Sequence, residues 1–157
     1  MSELITPDLV LLDRDLGGDT DSVIRALAAT VHRDGRARDA DSLAADALAR
    51  EAKNATGIPG GIGIPHCRSE AVTRATLVMA RLAPAVDFGA KDGPADIVFF
   101  IAAPAGADQE HLKLLSKLAR SLMKKPFVAS LRAAASPEEV VAVVDGALGL
   151  APGDDAA

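Results

Sequence analysis

The chain has 157 residues, with 17 Lys and Arg against 22 Asp and Glu for a net charge of −5. That length fits one domain of ~150 residues, which buries roughly 70% of its unfolded surface and needs no covalent staple. The mild acidity argues against a nucleic-acid binder, one cysteine (Cys67) excludes an intramolecular disulfide and a Cys-rich zinc site, and 49% hydrophobic with 25% charged residues excludes wholesale disorder.

No apolar run reaches the ~18 residues of a membrane span. The opening Met1-Ser2-Glu3-Leu4-Ile5-Thr6-Pro7-Asp8 lacks the basic and apolar regions of a signal peptide. With the lone cysteine, this predicts a cytoplasmic, reducing location. Four Phe and no Trp or Tyr leave core packing to Ala, Val, Leu and Ile.

In chain order, the apolar run 8–12 predicts a first strand and 13–18 a loop. Asp19 or Thr20 caps a helix whose face is Val23, Ile24, Leu27 and Val31, closed by Asp34-Gly35. A second helix over 41–53 turns Leu43, Ala44, Ala47 and Leu48 inward. Residues 54–66 hold four Gly and two Pro, which no helix survives. This is a loop with a short extended piece near 62–64, ended by Pro65. Residues 76–79 read as a strand, and 97–101 (Ile-Val-Phe-Phe-Ile) as a strand buried on both faces. Asp108 can cap a helix over 109–124 with Leu112, Leu115, Ala119 and Leu122 inward. Pro126 starts a shorter helix. Ser136-Pro137-Glu138-Glu139 is a complete helix start, with Val140, Val141, Val144 and Leu148 as its face. Residues 151–157 read as a tail or the start of a linker. Two helices before the central strands and three after them predict a single three-layer α/β domain over 1–150, with a mixed β-sheet flanked by helices on both faces.

Three histidines could carry chemistry. His32 ends the first helix among polar residues and reads as solvated surface. His66 follows Pro65 where the glycine-rich loop ends, and Gly60, Gly61 and Gly63 remove side chains that would block approach to its ring. From composition alone it could equally be an ordinary loop histidine. His111 falls in the first turn of the helix capped by Asp108, where the helix field disfavours a protonated imidazole and favours a nearby anion. Arg50 ends an alanine-rich helix with a forked donor suited to phosphate, or merely complements the helix dipole. Arg68 and Glu70 carry the same ambiguity. Cys67 points away from His66 on an extended backbone, so the two form no nucleophile–base pair. Lys113, Lys117, Arg120 and Lys124 recur at helical spacing as a solvated face. The chain has no Walker A or dinucleotide-binding glycine motif.

Arg50-Glu51-Ala52-Lys53-Asn54-Ala55-Thr56-Gly57, followed by Gly60-Gly61-Ile62-Gly63-Ile64-Pro65-His66-Cys67-Arg68, resembles the fructose-type enzyme IIA domain. This is the type-2 (fructose/mannitol) IIA family of the bacterial phosphoenolpyruvate-dependent sugar phosphotransferase system. The segment 102–112, with His111, looks like the family's second-histidine segment. The resemblance spans about residues 3–149. It implies that His66 accepts a phosphoryl group from phospho-HPr and passes it to a cysteine of a IIB domain, serving sugar uptake, with fructose the expected sugar, through a IIC membrane component. It implies that His111 hydrogen-bonds the phosphoryl group, that Arg50 offsets its charge, and that Thr56 is a further hydroxyl donor. It implies no metal, nucleotide or other cofactor, and a cytoplasmic protein that reaches the membrane through IIB and IIC. Gly63 departs from the Ala of many relatives and is expected to loosen the loop. The competing readings are a regulatory, nitrogen-type IIA module acting by protein binding, a binding domain with an incidental loop histidine, and a cysteine hydrolase using Cys67.

Phosphoryl transfer suits such a site, because it asks for a positioned nucleophile and charge-matched donors rather than elaborate covalent chemistry. A neutral imidazole nitrogen is a competent nucleophile near pH 7.

Overall fold

In a computed structural model of the chain, residues 4–106 and 109–149 are described, without the side chains of 109–112. After a 3-10 turn at Pro7–Leu9 the chain enters β1 (Val10–Arg14), then α1 (Thr20–Arg33) and α2 (Ala40–Lys53). The hairpin β2 (Gly57–Ile58) and β3 (Ile62–Gly63) leads into β4 (His66–Ser69), β5 (Thr76–Val86) and β6 (Ala95–Pro104). Helices α3 (Gln109–Leu122), α4 (Lys125–Ala133) and α5 (Pro137–Leu148) complete the order. Local chemistry sets the helix starts: the side chains of Asp19, Asp39 and Ser136 accept from the backbone N–H of Ser22, Asp41 and Glu139. Gly149 ends α5 in the left-handed conformation at φ 75°.

The sheet has six strands in the order β1-β5-β6-β3-β2, with β4 also on β6. β1 runs parallel to β5, β5 antiparallel to β6, and β6 parallel to both β3 and β4. The sheet is mixed, as expected. Every residue of β6 from Ile97 to Ala103 is buried. Side chains alternate between faces along a strand, so both faces of the sheet are covered. The helices form two groups: α1 packs on α2, which also lies along β4, while α3, α4 and α5 pack together and α5 meets β1.

Three differences from the sequence reading have physical causes. Pro7 starts a 3-10 turn, which delays β1 to Val10. All four phenylalanines are buried, so the core is less purely aliphatic than composition suggests. Pro65 interrupts the extended chain without ending it. A proline lacks a donor but keeps its acceptor, and the Pro65 carbonyl accepts from the Ile101 N–H at 3.1 Å. β3 and β4 therefore form one edge along β6, broken only at Ile64-Pro65.

The glycines of this loop do other work than expected. Gly60 and Gly61 have φ of 101° and 80° and shape the β2–β3 turn. Arg132 holds that turn by donating to the Gly60 carbonyl at 2.6 Å and to Asp96 at 2.7 and 3.1 Å. Gly63 does not loosen the loop. It is buried in β3, and a Cβ there would stand 2.9 Å from Cγ of the fully buried Phe88. Gly63→Ala should therefore overpack this contact and cost about 1–3 kcal/mol, read from the denaturation midpoint. Phe88→Leu in the same chain should recover part of that loss, as coupled neighbours do.

Candidate functional site

His66 opens β4, where the edge of the sheet meets α2. It is half-buried and pairs in register with Ile101. Its Nδ1 lies 2.9 Å from the Ile64 carbonyl oxygen. A carbonyl only accepts, so Nδ1 carries the proton and Nε2 is left with the free lone pair. The ring is thus fixed in orientation and tautomer by its own loop.

The side chain borders a cleft of about 760 Å³ lined by Asp46, Ala49, Arg50, Lys53, His66, Cys67, Arg68, Ala105 and Leu115. Positions 46, 49, 50 and 53 form one stripe of α2, at spacings of three and four, so one helix face supplies one wall. Three cations and one acid line the cleft, in a chain of net charge −5. The acid is engaged, since Asp46 Oδ2 accepts from Ser69 Oγ at 2.6 Å. Arg50 is half-buried, and among the described residues its one bond, a long one, runs from Nη1 to the Asn54 carbonyl at 3.5 Å. The lining of the cleft therefore carries more positive than negative side chains, a setting that favours an anion. Sequence reading singled out Arg50, His66, Cys67 and Arg68. It gave Asp46, Lys53 and Leu115 no place at the site, although the 46/49/50/53 stripe was a signal available in the sequence.

The other expected residues fall as follows. The Thr56 hydroxyl, expected to face a phosphoryl group, donates instead to Glu51, at 2.9 and 3.1 Å from its two carboxylate oxygens, and Thr56 is not among the residues lining the cleft. His111 stands in α3, one turn before Leu115; its side chain, and Asp108 with it, lie outside the described residues. His32 is exposed, with Nδ1 2.9 Å from the Ala37 carbonyl oxygen. Of the basic stripe, Lys117 donates to the Leu148 carbonyl at the end of α5, at 3.1 Å, while Lys113, Arg120 and Lys124 are exposed. No group of three or more His, Cys, Asp or Glu among the described residues could hold a metal ion. Among the same residues, no helix is long and apolar enough to cross a membrane.

Cys67 is 6% exposed, and burial, with the nearby Asp46 charge, pushes its thiol up to about 12. At pH 8 it therefore holds on the order of a thousandfold less thiolate than an ordinary cysteine. Iodoacetamide should leave it unmodified in the native protein and label it only after unfolding in urea, as read by intact mass.

Comparison with known proteins gives the family of the chain. Residues 3–146 match the family described as "Phosphoenolpyruvate-dependent sugar phosphotransferase system, EIIA 2". The chain is 41% identical over 107 residues to the PTS system fructose-specific EIIA component of Haloferax volcanii, covering 68% of this chain and 70% of that protein. It is 32% identical over 145 residues to the nitrogen regulatory protein of Pseudomonas aeruginosa, covering 92% of this chain and 94% of that one. The crystal structure of the nitrogen regulatory protein IIA-Ntr from Neisseria meningitidis has the same fold, with a TM-score of 0.82 at 30% identity over 90% of this chain and 96% of that chain. Matched nearly from end to end, the chain belongs to the EIIA 2 family of the phosphoenolpyruvate-dependent sugar phosphotransferase system, whose members are phosphotransferase components that transfer the phosphoryl group through a histidine.

Proposed function

We propose that His66 is the phosphoryl carrier of this chain and that Nε2 is the accepting atom. The observation that carries this reading is the bond from Nδ1–H to the Ile64 carbonyl, which leaves Nε2 as the free lone pair of a ring on a cleft lined by more positive than negative side chains. EIIA domains pass phosphate between HPr-type donors and IIB domains. Here the N–P bond of phospho-HPr breaks as the Nε2–P bond forms, and the proton stays on Nδ1, hydrogen-bonded to the Ile64 carbonyl. In the second step the Nε2–P bond breaks as a thiolate of the IIB domain takes the phosphoryl group. Arg50, with Lys53 and Arg68 on the same cleft, offsets the charge of the equatorial oxygens, and His111 donates to one of them. The reaction calls for no cofactor.

The sugar reading is fructose, supported by the Haloferax relative. In that reading residues 1–150 are the EIIA domain, and the protein works in the cytoplasm with a membrane IIC component. A second reading has its own support: the nitrogen regulatory relatives are matched over more of their length, 94% and 96%, than the fructose-specific one. In that reading the phosphorylation state of His66 governs binding to a partner protein.

The test is intact mass after incubation with phosphoenolpyruvate, enzyme I and HPr, followed by addition of a fructose IIB domain. One acid-labile phosphoryl group, absent from His66→Ala and discharged onto the IIB cysteine, is the expected result. Uptake without discharge favours the regulatory reading. Unchanged mass with active upstream components overturns both.

A further inference from the structure

We infer that Glu51 and Thr56 are positioning residues that set the tautomer and aim of His66 from outside the cleft. This rests on the reading of His66 as the phosphoryl carrier.

The connection is a chain of short bonds. Glu51 sits in the last turn of α2, and its carboxylate reaches forward over the loop. Its Oε2 accepts from the Thr56 backbone N–H at 2.7 Å, and its Oε1 from the Thr56 hydroxyl at 2.9 Å. Two donors of one residue held by one carboxylate fix that residue against the helix end. Charge-assisted bonds of this kind are among the stronger ones.

Thr56 passes the constraint on. Gly57 pairs with Gly63 and Ile58 with Ile62 in the β2–β3 hairpin. The next rung outward is the Ile64 N–H donating to the Thr56 carbonyl at 3.3 Å. Ile64 belongs to neither β3 nor β4, so this rung is what extends the hairpin to it. On its other side, Pro65 restricts Ile64 to an extended ψ, and the Pro65 carbonyl is itself held by the Ile101 N–H. Ile64 is thus pinned from both ends, and its carbonyl is the acceptor for His66 Nδ1–H. Glu51 holds Thr56, Thr56 holds Ile64, and Ile64 holds the ring.

Neither Glu51 nor Thr56 lines the cleft. Their loss should therefore change how His66 reacts and leave the docking of the donor protein alone. This also gives the Thr56 hydroxyl a role: it is spent on the loop.

The experiment reads the imidazole directly. Nitrogen NMR of ¹⁵N-histidine-labelled protein, without any phosphoryl donor, reports which ring nitrogen of neutral His66 carries the proton. Rates of transfer from phospho-HPr are measured in parallel. The wild type should hold the proton on Nδ1. Glu51→Ala should shift His66 toward the tautomer mixture of a free imidazole and lower kcat about 10- to 100-fold, with KM changed less than about twofold. Thr56→Val, which keeps the backbone N–H bond, should fall between, and Thr56→Ser should match the wild type. If Glu51→Ala does not fold, the Val and Ser pair decides the question. A loss of rate with the tautomer unchanged, or no change in either, overturns the proposal. No phosphoryl uptake by the wild type would overturn the carrier reading instead, and the tautomer measurement would still decide the relay.

Discussion

His66→Ala should take up no phosphoryl group at all and should fold as the wild type does. The ring is half-buried, and its one described hydrogen bond reaches two residues back within the same loop. Its removal exposes no core, so the stability change should stay within about 0.5 kcal/mol, the range of ordinary surface substitutions. The loss of uptake should be complete because, among the described residues, neither the other nucleophile on the cleft nor the other histidine can stand in. Cys67 borders the same cleft, but with its thiol pushed up to about 12 it offers almost no thiolate. His32 stands exposed in the last turn of α1 and is not among the residues that line the cleft. Intact mass reads the uptake, and the midpoint of urea unfolding reads the fold. Residual acid-labile phosphate on the variant would move the carrier role to another histidine, and His111 would be next in line.

Much of this was legible in the residues themselves. Asp19 and Ser136 announce their helices because a short oxygen-bearing side chain can satisfy an orphan N–H, and that chemistry is local. The run Ile97 to Ile101 announces a strand buried on both faces for an equally local reason, and β6 is that strand. His66 and Arg50 stand out in the sequence as candidates, and the fold sets both on one cleft; the loop itself suggests an apolar rim with few charges, and the charged lining arises only where α2 meets β4. What could not be read is long-range. Sequence places Gly63 next to Ile62 and Ile64, and only the fold brings Phe88 against it, turning an apparent source of slack into a tight contact. Pro65 reads as a strand end until its carbonyl is seen to continue the β6 ladder. Thr56 has a hydroxyl in the loop before His66, and the family resemblance implies donation to a phosphoryl group; the competing carboxylate of Glu51 becomes visible only when the loop folds back on α2. In each case the residue type was right for more than one partner, and tertiary structure chose between them.

Arg50→Ala should slow phosphoryl transfer about 100- to 1,000-fold, the loss seen when one donor to a developing anion is removed from a preorganised site. The contrast with other arginines of the fold makes the case. Arg36 donates to Asp34 at 2.7 Å, Arg81 spans Asp13 and the carbonyls of Leu131, Arg132 and Ala134, and Arg132 spans Asp96 and Gly60. Those guanidinium groups are spent on holding the fold. Among the described residues Arg50 carries the 3.5 Å contact to the Asn54 carbonyl alone, so its fork can turn onto an incoming phosphoryl group at small cost. A planar fork binds two equatorial oxygens at once, and a lysine cannot, so Arg50→Lys should restore charge but recover only part of the rate. The loss should fall on kcat, because the charge that Arg50 meets is greatest while the phosphoryl group is in flight. Lys53→Ala, one turn further along the same face, removes a point charge at an exposed position and should cost less, with a larger share of its effect fading at high salt. Should Arg50→Ala instead raise KM and spare kcat, the arginine would belong to the docking of the donor protein, and the phosphoryl charge would fall to Lys53, Arg68 and the second histidine.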